Sequence, residues 1–196
     1  MTLLGNSKLV DSRIDYPFAH PLDMLEQWLN EAERVGVSEP RGFVLSTVNK
    51  FEQPSSRVVL LKEFDNQGII FSINEKSPKG IDLKYNSYVA GTLWWHEIIQ
   101  QINFRGKAIK LSKNRSDILW NSRAREAQAV ASISEQSAVL INEKALRENV
   151  SKMLKKQDKI KRPPSWHAYH IIIDSIEFWI GSKDRFHRRL QYNLRG

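Results

Sequence analysis

Cysteine is absent from the chain, which excludes disulfides, thiolate metal sites and cysteine nucleophiles together. No apolar run approaches membrane-spanning length. The N-terminal stretch MTLLGNSKLVDSRIDYPF has neither a long apolar core nor a small-residue cleavage site, so a soluble cytoplasmic protein is expected, without a membrane partner. There is no GxGxxG, no P-loop and no GxSxG, which leaves a Walker-type phosphate loop or an activated serine unsupported. Five histidines occur without a metal-binding set. His167 and His170, three apart on an expected strand, fall on opposite faces, and no metal is expected.

What remains is an ordinary core and an excess of cations. Of 196 residues, 41% are hydrophobic and 27% charged, which fits one domain with a real core. The net charge of +8 is concentrated in Lys155–Arg162 (KKQDKIKR), expected to be a solvated linker, and in Arg185–Arg189. Nucleic acid is one partner such charge allows, but no helix-turn-helix, zinc-finger or RNP signature is present. A small anionic ligand in a basic pocket accounts for the charge equally well.

Residues 1–19 read as a mobile arm. Pro21 then opens a helix in which Leu25, Trp28, Leu29 and Ala32 repeat at helical spacing to about Val35. Short antiparallel strands follow: Phe43–Val48, Arg57–Lys62 (RVVLLK) and Ile69–Ile73, with turns at Glu52–Ser55 and Asp65–Gly68. Strict alternation puts Arg57 and Lys62 on opposite faces, so serving one site together requires a bulge or a strand end between them. Ser77-Pro78-Lys79 starts a helix to about Asn86, with the serine as cap. Its free N–H groups and Lys79 make a natural phosphate site, and a plain capped surface helix reads the same way.

Tyr88–Glu97 is a strand carrying Trp94-Trp95, and Ile99–Leu111 a longer one with Gln100-Gln101 near its start. An amide can read the edge of a heterocycle, or simply pair across strands. Ser112 caps a helix through Trp120, a second helical stretch covers Glu126–Ala131, and Asn142–Lys156 is amphipathic through Leu146, Val150, Met153 and Leu154 until Arg162-Pro163-Pro164. Trp166–Ile173 is a strand. Ile176–Leu190 is a hairpin in which Arg185, His187, Arg188 and Arg189 cluster beside Trp179. Guanidinium forks and rings suit an anionic, planar partner, and a charged edge strand has the same composition.

Arg57–Lys62, Ser77–Lys79, Gln100-Gln101, Gly106–Ala108 (GKA), Gln136-Ser137, Ile176–Trp179 (IEFW) and Arg185–Arg189 (RFHRR), in that order, resemble the pyridoxamine 5′-phosphate oxidase family of FMN-dependent split-barrel enzymes. The resemblance covers about residues 20–193 and implies one FMN-binding domain over 20–196 with helical insertions. The implied fold is mainly β with peripheral helices (α+β): an antiparallel split β-barrel, homodimeric, with FMN at the subunit interface.

By motif position, Arg57 and Lys79 would hold the FMN phosphate, and Val58, Val59, Leu60, Lys62 and Ser72 would join the cofactor site. Gln101, Gln136 and Ser137 would bind the flavin or its ribityl chain; Trp179 and Arg189 would reach it from the other subunit. Lys62 and Arg123 would clamp an anionic substrate, with Arg185 and His187 as the catalytic pair above the ring.

Departures bear on the substrate. Where the family grips a phosphate with a tyrosine and a serine, this chain has Leu119 and Ala127. Pro78 stands in place of an arginine, and the family's usual final strand has no counterpart before Gly196. LEQWLNEAERVGVSEPRGFVLST, GTLWWHEIIQQI, SEQS, KRPPSW and EFWIGSKDRFHRRL resemble more closely the phenazine-biosynthesis flavin oxidases of this fold. That implies oxidation of a partly reduced phenazine dicarboxylate by O2, with peroxide released. Retained Lys62 points back to a pyridoxamine-phosphate oxidase, and a flavin- or heme-binding barrel without turnover is the non-enzymatic alternative.

Overall fold

The computed structural model describes residues 12–156 and 158–194. Most of the expected arm, residues 1–11, lies outside them. Residues 12–19 are docked: a 3-10 turn at Ser12–Ile14 is followed by an Asp15–Arg188 ion pair, and Tyr192 donates to the Phe18 carbonyl at 3.0 Å.

Helix α1 (Pro21–Arg34) begins where the sequence indicates, with His20 Nδ1 accepting from the Leu22 N–H and proline in the first turn. Its stripe of Leu22, Leu25, Trp28, Leu29 and Ala32 is fully buried. It fills the concave side of an eight-stranded antiparallel sheet. The strands are β1 (Gly42–Val48), β2 (Pro54–Leu60), β3 (Glu63–Asp65), β4 (Gly68–Asn74), β5 (Tyr88–Trp95), β6 (Gln100–Lys110), β7 (Trp166–Ile180) and β8 (Arg188–Asn193). Their order is β2-β1-β5-β6-β7-β4-β3, with β8 also paired to β7. The sheet is a split barrel: it does not close, but beyond β2 the Leu61 N–H reaches Arg41 and the Lys62 N–H reaches Ile70 of β4, both at 2.8 Å.

Phe43, Phe71 and Phe104 pack ring to ring in this core. Phe104 lies against Gly91, where a Cβ would come within 2.0 Å of the ring, so any side chain there displaces it. Helices α3 (Lys113–Asn121), α4 (Arg125–Ile133) and α5 (Glu143–Lys155) form a second layer outside the sheet. Trp120, Leu119 and Ala129 join Ile70, Trp166 and Ala168 there.

Three expectations are corrected. Residues 166–180 form one strand, not two, because Asp174 is accommodated as a bulge where Arg105 pairs with Ser175 and Gly106 with Ile173. The basic stretch after α5 is not simply solvated: Ile160 is buried and accepts the Trp120 indole N–H, while Arg162 pairs with Asp117 at 2.6 Å. Strand β2 starts at Pro54 and ends at Leu60, so Lys62 lies past its end.

Candidate active site

The end of β2 resolves the Arg57–Lys62 conflict. Arg57 faces inward with its β1 partner Leu45; the chain then leaves β1 for β4, and this bend turns Lys62 toward Arg123. Because β2 is the terminal strand of the sheet order, one backbone edge of Arg57–Leu60 has no strand partner among the described residues. Val58 and Leu60 point outward and are exposed; Val59 packs on the core.

Helix α2 (Pro78–Tyr85) packs on β1 and on the end of β4, and its Asp82 reaches Ser55 and Arg57 of β2. Ser77 is its N-cap residue, as expected, but the hydroxyl donates back to the Asn74 carbonyl at 2.6 Å, leaving the helix start without a side-chain cap bond among the described residues. Gly80 allows the approach, since a Cβ there would sit 2.5 Å from the Glu75 Cα. Lys79 is 6% exposed, and no carboxylate pairs with it among the described residues. Burial, then repulsion from Arg57, lowers its pKa; burial also lowers that of Arg57, against the pull of Asp82. Two neighbouring cations at a helix N-terminus, one buried without a counter-ion, are suited to a phosphate dianion.

A second cation pair lies beyond the strand end. Arg123 stands over Trp120 (5.7 Å) and Trp166 (5.4 Å), and donates to the Ala127 carbonyl at 3.3 Å. Its buried Nε has no partner among the described residues. Burial lowers the pKa of both Arg123 and Lys62, and Arg123 adds its repulsion to Lys62. A pocket of about 480 Å³ opens beside Arg123, lined also by Ser72, Glu126, Ala127, Gln136 and Trp166 among others; Lys62 is not part of its wall. Ser137, with φ +68°, borders an adjoining hollow with Pro78. Leu119 is instead buried in the outer layer.

The remaining expected residues are elsewhere. Trp94, Gln101, Trp179 and Arg189 form one cross-strand row on the outward face of β5, β6, β7 and β8. His187 and Arg185 belong to the 181–187 loop, not to a strand. The His187 ring lies 4.9 Å from Trp179, and its Nδ1 accepts the Ser182 N–H at 3.1 Å. In the neutral ring the proton is thereby placed on Nε2, a free donor. Arg185 has φ +70°, a left-handed backbone uncommon for arginine. Trp166 and Trp179 mark the two ends of β7, roughly 40 Å apart along the strand. One chain therefore does not bring Arg185 and His187 onto a ligand held by Lys62 and Arg123.

Sequence reasoning missed Asp82, Thr47 and Ser55, which surround Arg57. The spacing of Asp82, three residues after Lys79 on one helix, was the available signal.

Fold and charge together define a split-barrel protein with two cation pairs, Arg57–Lys79 and Lys62–Arg123, whose charge is suited to anionic ligands. Residues 29–157 match the family described as pyridoxamine 5′-phosphate oxidase, and residues 166–196 the pyridoxine 5′-phosphate oxidase C-terminal dimerisation region. The chain belongs to this family of oxidoreductases, whose cofactor is FMN. It is 33% identical, over 96% of its length and 88% of the relative's, to a dihydrophenazinedicarboxylate synthase of Pseudomonas chlororaphis. It is 39% identical, over 89% of its length and 83% of the relative's, to a pyridoxine/pyridoxamine 5′-phosphate oxidase of Mannheimia succiniciproducens. A crystal structure of PhzG from Burkholderia lata 383 in complex with tetrahydrophenazine-1-carboxylic acid superposes with a TM-score of 0.93 at 34% identity, covering 98% of this chain and 95% of that one. The residues present fit FMN, since buried Lys79 has no carboxylate partner among the described residues.

Proposed function

We propose that the chain is an FMN-dependent oxidase acting late in phenazine biosynthesis as a homodimer, with residues 20–196 as its FMN-binding unit. It removes two hydrogens from a partly reduced phenazine dicarboxylate, and O2 takes them up as hydrogen peroxide. FMN, when bound, would supply the two-electron chemistry at a C–H bond next to a ring nitrogen.

The chain's own residues bind and orient. Arg57 and Lys79 hold the FMN phosphate; the free edge of Val58, Val59 and Leu60, with Ser72, Gln136 and Ser137, lines the cofactor. Gln101, Trp179 and Arg189 come from the second chain, in keeping with their shared outward row. Lys62 and Arg123 clamp a substrate carboxylate. Arg185 and His187 of the second chain cover the substrate, with the Nε2–H of His187 donating to an oxygen.

The observation that carries the phenazine reading is the pocket around Arg123. Arg123 is backed by Trp120 and Trp166, Ala127 brings no hydroxyl, and Glu126 on the wall disfavours a doubly charged phosphate group at this point more than a single carboxylate. A flat aromatic carboxylate suits these walls better than a phosphate ester. The phenazine relatives, matched over nearly the whole chain, support the same reading. A second reading, pyridoxine or pyridoxamine 5′-phosphate oxidase, is favoured by the Lys62–Arg123 pair and by the Mannheimia relative.

Oxygen consumption separates them. The purified protein is expected to be yellow, to release FMN rather than FAD, and to consume oxygen with reduced phenazine carboxylates. Pyridoxamine phosphate is expected to react at least about 100-fold more slowly, because two charge-assisted hydrogen bonds to phosphate are missing. Fast peroxide formation from pyridoxamine phosphate selects the second reading, and flavin that no substrate bleaches rules out both.

A further inference from the structure

Arg57 is held in an unusual way. The nearest carboxylate, Asp82, is 5% exposed and stays 4.0 Å from the guanidinium. Two hydroxyls stand between them. Thr47 Oγ1 donates to Asp82 Oδ2 at 2.6 Å and accepts from Arg57 Nη1 at 2.7 Å. Ser55 Oγ donates to the same Oδ2 at 3.3 Å and accepts from Arg57 Nη2 at 2.5 Å. Each hydroxyl has a single proton, so giving it to the carboxylate leaves only lone pairs toward the guanidinium. Nη1 also donates to the Leu45 carbonyl at 3.3 Å. The Nε–H and the second Nη2 hydrogen keep no partner among the described residues.

A direct bidentate pair with Asp82 would have occupied the fork and neutralised it. With no anchor, repulsion from Lys79 would push the long side chain outward to water. We infer that Asp82, acting through Thr47 and Ser55, is a positioning residue that aims Arg57 at the FMN phosphate while leaving its outer donors free. The inference rests on the proposed role of Arg57. It adds a function for three residues on β1, β2 and α2 that act through Arg57.

The test is flavin binding by the full-length chain, stripped of flavin and titrated with FMN or riboflavin while flavin fluorescence is followed. Riboflavin lacks the phosphate and serves as the internal control. Asp82→Asn and Thr47→Val are each expected to weaken FMN about tenfold and leave riboflavin unchanged. Thr47→Ser, which keeps the hydroxyl, is expected to bind as the parent does. In an Arg57→Ala background, Thr47→Val is expected to cost nothing further. Equal weakening of both flavins, an undiminished Thr47→Val loss without Arg57, or parental affinity in Thr47→Val would overturn the relay. If Arg57→Ala itself binds FMN normally, the phosphate assignment fails instead. Should Asp82→Asn fold poorly, the Thr47 pair decides alone.

Discussion

Replacing Arg185 by alanine is expected to lower kcat/KM for a reduced phenazine dicarboxylate roughly 10- to 100-fold, while FMN content stays at the parental level. The magnitude is that of one lost hydrogen bond to a charged group, about 1.5–3 kcal/mol. The separation of effects follows from position: Arg185 lies in the 181–187 loop, whereas the phosphate-type cradle of Arg57 and Lys79 lies at the α2 start. Arg57→Ala should show the converse, empty flavin sites in otherwise folded protein. Released FMN quantified against protein, together with steady-state kinetics after FMN is resupplied, checks both. Equal FMN loss in the two variants would contradict the division of roles.

Trp28→Ala is expected to destabilise the chain by about 3–5 kcal/mol and to lower the unfolding midpoint by about 10 °C. Trp28 is completely buried and packs edge-on to Phe178, at 5.1 Å, and against Trp95. Its indole N–H has no hydrogen-bond partner among the described residues, so its contribution comes from packing and from the Arg13 guanidinium 6.0 Å over its ring. Trp28→Phe keeps most of the volume and discards the orphaned donor, and should cost less than about 2 kcal/mol. Thermal melts followed by circular dichroism separate the two variants. A Trp28→Phe loss as large as that of alanine would mean that the indole N–H matters after all.

Where local chemistry decides structure, the sequence was readable. Pro21 and Ser112 opened helices at the expected positions, and the turn at Asp65–Gly68 joins two strands as its residues indicated. Where tertiary context decides, it was not. The inward residues of β7 are Ile171 and Ile173 before the bulge, then Ile176, Phe178 and Ile180 after it. The phase of alternation flips at Asp174, and a period-two reading therefore breaks one strand into two. The charge-rich stretch up to Arg162 read as solvent-exposed because the partners of Ile160 and Arg162, Trp120 and Asp117, lie far away in sequence.

The candidate site divides along the same line. The cations were legible as residue types, and their grouping into an Arg57–Lys79 pair and a Lys62–Arg123 pair depended on where β2 ends. The hydroxyls behind Arg57 are ordinary strand residues until a buried carboxylate is seen facing them.

The length of β7 has a genetic consequence. If each catalytic centre takes Arg57 from one chain and Arg185 from its mate, the two lesions can complement. Mixing an Arg57→Ala chain with an Arg185→Ala chain yields hybrid pairs in which one centre carries both defects and the other carries neither. Two impaired parents would then give more active progeny, up to half the wild-type turnover per hybrid.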